Sequence, residues 1–112
     1  MVNKEGNMKD MVLMLAGNLQ TRIKTIVELF QSGDTSQANE RFVYLLDDLS
    51  ILMEGIETLN KYNSMIDITE MNEKLQLLLN QFEKKDYMYV ADLLTYELLP
   101  LLEYWSDTVN DE

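Results

Sequence analysis

The chain has 112 residues, 46% of them apolar, with 20 acidic against 9 basic side chains for a formal charge of −11. That length holds one core, and burying roughly two thirds of the unfolded surface is enough to fold it, so residues 1–112 are expected to form a single domain. Cysteine and histidine are both absent, which excludes disulfides, thiolate nucleophiles, Cys/His zinc sites, Ser-His-Asp triads and imidazole bases within one chain.

The first helix is expected over about residues 8–31, with Met8, Met11, Val12, Leu15, Leu19, Ile23, Ile26 and Phe30 on one stripe. Lys4 and Lys9 ahead of the apolar run Met11–Gly17 have the order of a secretory signal. Asp10 abuts that run, however, and its helical period continues to Leu19 and Ile23, so it reads as a helix rather than a leader. Ser32-Gly33-Asp34 stops it, because glycine suits the left-handed position after a helix; Asp34 with Gln37 reads as a capping box.

The second helix, about 35–61, buries Ala38, Phe42, Leu45, Leu46, Leu49, Leu52, Met53, Ile56 and Leu59. Gly55 inside it costs roughly 1 kcal/mol against alanine, and a close approach by a neighbouring helix is the reading that explains it. Tyr62-Asn63-Ser64 breaks the pattern, and Asp67 with Glu70 supplies the next capping box. Helix three, about 68–84, presents Ile68, Met71, Leu75, Leu78, Leu79 and Phe82. Being much shorter than helix two, it leaves two options. Either the connection folds over the gap with Tyr62, Met65 and Ile66, or one end of the core meets another molecule.

Lys84-Lys85-Asp86 punctuates the chain again, with Asp86 as the next cap, and helix four comes after it over about 87–107, leaving Val109 to Glu112 as a frayed tail. Short connections favour antiparallel neighbours, so the expected fold is all-α, an up-down-up-down four-helix bundle. At 100° per residue, Tyr87, Val90, Ala91, Leu94, Leu98, Leu101, Leu102 and Trp105 form the core stripe of helix four. Tyr89, Leu93, Tyr96, Pro100 and Tyr104 cluster on the nearly opposite face. A helix at the edge of a bundle needs one apolar side; a second side rich in tyrosine is a candidate interface. Ordinary surface exposure is the plain alternative. Pro100 should kink this helix, or split it near Leu99.

The negative field opposes nucleic-acid and anionic-membrane binding, and from Asp86 to Glu112 there are seven carboxylates with no Lys or Arg. No apolar run reaches the roughly 20 residues of a membrane span. The carboxylate pairs Glu70/Glu73, Glu54/Glu57 and Asp92/Glu103 lie beside the apolar stripes and read as solvated faces, so no metal, cofactor or catalytic residue is expected. Phosphate-binding glycine loops are absent as well. Met8, Met11 and Met14 step along helix one, where core filling is preferred to a groove for an amphipathic partner.

The segment from Glu83 to Trp105 (EKKDYMYVADLLTYELLPLLEYW) resembles the C-terminal helix of small acidic helical proteins of unknown function from Firmicutes. The stretch Gly33 to Ile56 (GDTSQANERFVYLLDDLSILMEGI) is similar to their second helix; together the two cover under half of the chain. In shape and composition the expected bundle also resembles flagellar export chaperones. The leading expectation is a cytoplasmic, non-enzymatic interaction protein that self-associates as a dimer or larger assembly, or holds a protein partner, through the second face of helix four. An export or assembly chaperone for an amphipathic helix is the first alternative, and a small-ligand or metal sensor the second.

Overall fold

Helix one sets the frame of the molecule. A computed structural model describes residues 4–62 and 66–111. Among these, α1 (Lys4–Gln31), α2 (Thr35–Asn60) and α3 (Thr69–Glu83) precede a fourth helix in three consecutive segments, Tyr87–Leu93, Leu94–Leu98 and Leu99–Asn110, here together α4. No strand interrupts them among the described residues, and the fold is an all-α four-helix bundle. α1 packs against α2 on one side and α4 on the other, while α3 packs against α4. The directions are set by the side chains that meet. On α1, Val12 lies at Gly55 and Arg22 at Asp48, so α2 descends as α1 climbs. Phe30 stacks on Tyr87 while Gln20 reaches Ser106, and Phe82 meets Tyr87 while Lys74 meets Glu97, which gives the same opposed run for α4 against α1 and α3.

The same device makes two of the connections. After α1, Gly33 (φ 86°) lets the Asp34 N–H reach back to Leu29 O while its own N–H bonds Phe30 O. Asp34 then caps α2 by accepting from the Gln37 N–H at 3.2 Å. The expected reciprocal half of the box is replaced: the Gln37 amide donates to the same carboxylate at 3.1 Å. After α3, Lys85 takes the left-handed place (φ 60°), the Asp86 N–H bonds Gln81 O, and Asp86 accepts from the Tyr89 N–H. The box expected at Asp67 and Glu70 does not form, because α3 begins two residues later than Asp67. That carboxylate instead accepts from the Thr69 N–H at 2.9 Å, and its bonds to Thr69 hold its pKa below the usual carboxylate range.

The described part of the α2–α3 connection reaches the core through Ile66. Asn60 clamps Ile66 by donating to its carbonyl at 2.9 Å and accepting its N–H at 3.0 Å, and Ile66 is buried. Tyr62 stays exposed, and Met65 lies outside the described residues. Gly55 is where α1 comes closest: a Cβ there would stand 2.8 Å from Val12 Cγ2. At the opposite end Phe30, Phe42, Phe82 and Tyr87, one aromatic from each helix, meet at centroid distances of 4.7–6.0 Å, from stacked to edge-on, and tie the four together.

Three expectations need correction. The tail after Asp107 is helical through Asn110, because Val109 is fully buried and holds the last turn down. Met11 is not core, since Val12 and Ala16 take the inward positions, and Met14 is 77% exposed. Helix four is not an edge helix: it packs between α1 and α3, whereas α3 buries only Met71 and Leu78 completely.

Candidate functional site

Pro100 shapes the candidate surface on α4. A proline inside a helix lacks the N–H that would bond the carbonyl four residues back, and its ring crowds that carbonyl. The chain neither breaks at Leu99 nor restarts. It opens one wide turn over Leu94–Leu98, closed by the Leu99 N–H bonding Leu94 O, and Pro100 then occupies the first turn of the segment Leu99–Asn110. Thr95 Oγ1 donates to Ala91 O at 2.9 Å within the same stretch.

The wide turn accommodates an extra residue, so everything beyond it falls about 100° behind a straight helical projection. This parts Pro100 and Tyr104, which follow the wide turn, from Leu93, which precedes it. Leu93, placed by projection beside Pro100 and Tyr104, is 6% exposed and packs toward α3 next to Leu77 and Leu78. It is a core residue, and the interface reading fails for it. Tyr89 is exposed but does not line the concavity formed by the others. Tyr96, Pro100 and Tyr104 do come together, forming one wall of a groove of about 380 Å³ between α3 and α4. The tyrosines are 73% and 63% exposed.

The rest of that groove is charged. Lys74 Nζ lies 2.6 Å from Glu97 Oε2 and 3.7 Å from Glu70 Oε1, and all three residues line it. The Glu97 hydrogen bond above all raises the Lys74 pKa. The one cation is therefore spent on two carboxylates, leaving the groove net negative beside exposed phenol rings. Its chemistry is that of a recognition surface: apolar area with tyrosine hydroxyls, ringed by acceptors. Among the described residues, no group of three or more His, Cys, Asp or Glu is placed to hold a metal ion, and no helix is long and apolar enough to cross a membrane.

A second surface is the less favoured reading of the sequence, behind core filling. Met11, Met14 and Ile51 are exposed together on the outer side of the α1–α2 pair and line one hollow with Leu15. The three-residue steps of the methionines signalled it, but periodicity does not tell how wide a stripe the core will cover.

Fold and surface together define a small acidic all-α domain with grooves between its helices. The family model described as Domain of unknown function (DUF8042) matches residues 8–108, nearly the whole helical region, and the chain belongs to that family. Neither curated proteins nor solved structures gave a match.

Proposed function

We propose that this domain is a non-enzymatic protein-interaction module that holds a basic, amphipathic segment of a partner in the α3–α4 groove. One observation carries the reading: Tyr96, Pro100 and Tyr104 share a groove with Glu70 and Glu97, whose only cationic neighbour in the groove, Lys74, is already engaged. Leucine-like side chains of a partner would cover the rings, and its lysines or arginines would meet the carboxylates. A second copy of a chain carrying −11 is a poor occupant for so acidic a groove, which favours a foreign partner over self-association. A bacterial, cytoplasmic setting belongs to the same proposal. An assembly or export chaperone is the second reading, favoured by the exposure of Met11 and Met14.

The test uses a helical peptide with leucines on one face and lysines on the other, titrated at low and at 0.15 M salt, with oligolysine as the control for bare charge attraction. The leucine peptide should bind more tightly than oligolysine. Tyr96→Ala/Tyr104→Ala should weaken it at least tenfold, or about 1.4 kcal/mol, with the fold intact. Equal binding by the double variant would refute the groove. Sedimentation over a concentration series adds a second arm: a dimer abolished by the same double variant would make a second copy the occupant.

A further inference from the structure

The outer side of the α1–α2 pair carries two chemically distinct hollows, one after the other along the helices. At one end Met11, Met14, Leu15 and Ile51, with Asn7, Asp10 and Asn18 beside them, line a largely apolar hollow of about 560 Å³. At the other, Arg22, Arg41, Tyr44 and Asp48 line a hollow of about 330 Å³ floored by Ile26. Asn18 joins them: it lines the apolar hollow, and its Oδ1 accepts a hydrogen bond from Arg22 Nη1 at 3.2 Å. The helical register agrees, since Met11, Leu15, Asn18 and Arg22 run along one flank of α1 while Arg41, Tyr44, Asp48 and Ile51 run along one flank of α2.

Arg22 and Arg41 are the only arginines in the chain, and both stand at this one place. Arg22 is paired with Asp48. Arg41 meets no carboxylate at ion-pair distance among the described residues; its Nε and Nη2 both rest on the neutral Gln37 Oε1, at 3.2 and 3.0 Å. The hollow is thus locally cationic in a protein of formal charge −11, and a guanidinium fork held by a neutral acceptor has donors left for a planar carboxylate. From Met14 to Arg22 is eight residues of α1, about 12 Å at 1.5 Å per residue.

From these features we infer that the α1–α2 groove is a second docking site, for an amphipathic helix of a partner protein that sets apolar side chains against Met11, Met14 and Ile51 and a Glu or Asp about two turns away against Arg41. The methionines supply an adaptable apolar surface, Arg41 fixes polarity and register, and the Tyr44 ring lies alongside. The two grooves then select opposite charges, so one domain joins an acidic segment to a basic one.

The site is tested with a helical probe peptide carrying leucines at one-face spacing and a glutamate seven or eight residues from the last leucine, against its glutamine twin, at 0.15 M salt. Bulk attraction cannot produce a preference for the acidic peptide, because the whole-molecule field opposes it. The glutamate peptide should bind about tenfold more tightly than the glutamine one. Arg41→Gln, an exposed change that removes no ion pair, should abolish the preference. Met14→Ser should weaken both peptides, and Tyr96→Ala/Tyr104→Ala should leave both unchanged, which separates this site from the α3–α4 groove. Equal binding of the two peptides, a preference that survives Arg41→Gln, or loss of binding in the tyrosine variant would each overturn it.

Discussion

Three single positions carry consequences larger than their side chains suggest. Gly55 and Gly17 are both helical, yet only Gly55 faces a neighbour, Val12, which is β-branched and buried and so has little room to yield. Gly55→Ala should therefore lose about 1–2 kcal/mol despite the better helix propensity, whereas Gly17→Ala, with nothing within 4 Å, should gain up to about 1 kcal/mol. Urea denaturation monitored through the buried Trp105 checks both. Lys85 holds a left-handed backbone that costs a residue with a Cβ about 1–2 kcal/mol, so Lys85→Gly should raise stability by a good part of that. Lys74 brings pH dependence. Its pKa is raised in the folded state, so its contribution is fully present below its ordinary value near 10.5 and fades as pH climbs through the folded value. Lys74→Met should accordingly lower stability in the neutral region, where that contribution is present, and flatten the alkaline limb of a stability–pH curve.

At the scale of the element, α4 shows how an internal proline is carried. The wide turn at Leu94–Leu98 keeps the helix continuous, so both flanks find partners: Leu98 and Trp105 in the core, Leu93 and Leu101 against α3. Leu93→Ala should then cost about 2–5 kcal/mol, in the same class as Leu98→Ala, while Tyr96→Ala stays within about 0.5 kcal/mol. Comparable midpoints for Leu93→Ala and wild type in thermal unfolding would contradict this assignment. Four helices and their punctuation were legible because burial repeats every 3.6 residues and because Gly33, Asp34 and Asp86 have strong local preferences. The wide turn was not. Adding one residue to a turn shifts the phase of every later position without changing composition, so a straight projection grouped Leu93 with Pro100 and Tyr104. Only Pro100 hinted that the ladder must be rearranged, and it did not say how.

For the whole molecule, charge and shape divide the labour. The bundle measures 48 × 24 × 19 Å, long enough to offer separate grooves on different helix pairs. Its −11 formal charge should prevent duplex DNA binding even at low salt, where phosphate contacts are strongest; a micromolar complex with steep salt dependence would show that this picture of the field is wrong. Part of the candidate surface was legible at this scale too. Tyr96, Pro100 and Tyr104 were grouped from sequence and do meet, but the carboxylates beside Lys74 come from α3 and α4 together, a pairing that no single-helix projection contains.

Amide chemical shifts of the labelled protein during titration with the leucine–lysine helix test the central claim most directly. The proposed module predicts that the largest changes fall along the α3–α4 groove, at Glu70, Lys74, Tyr96, Glu97 and Tyr104, and vanish in Tyr96→Ala/Tyr104→Ala. Changes spread evenly over the acidic surface, or concentrated away from that groove and persisting in the double variant, would contradict it.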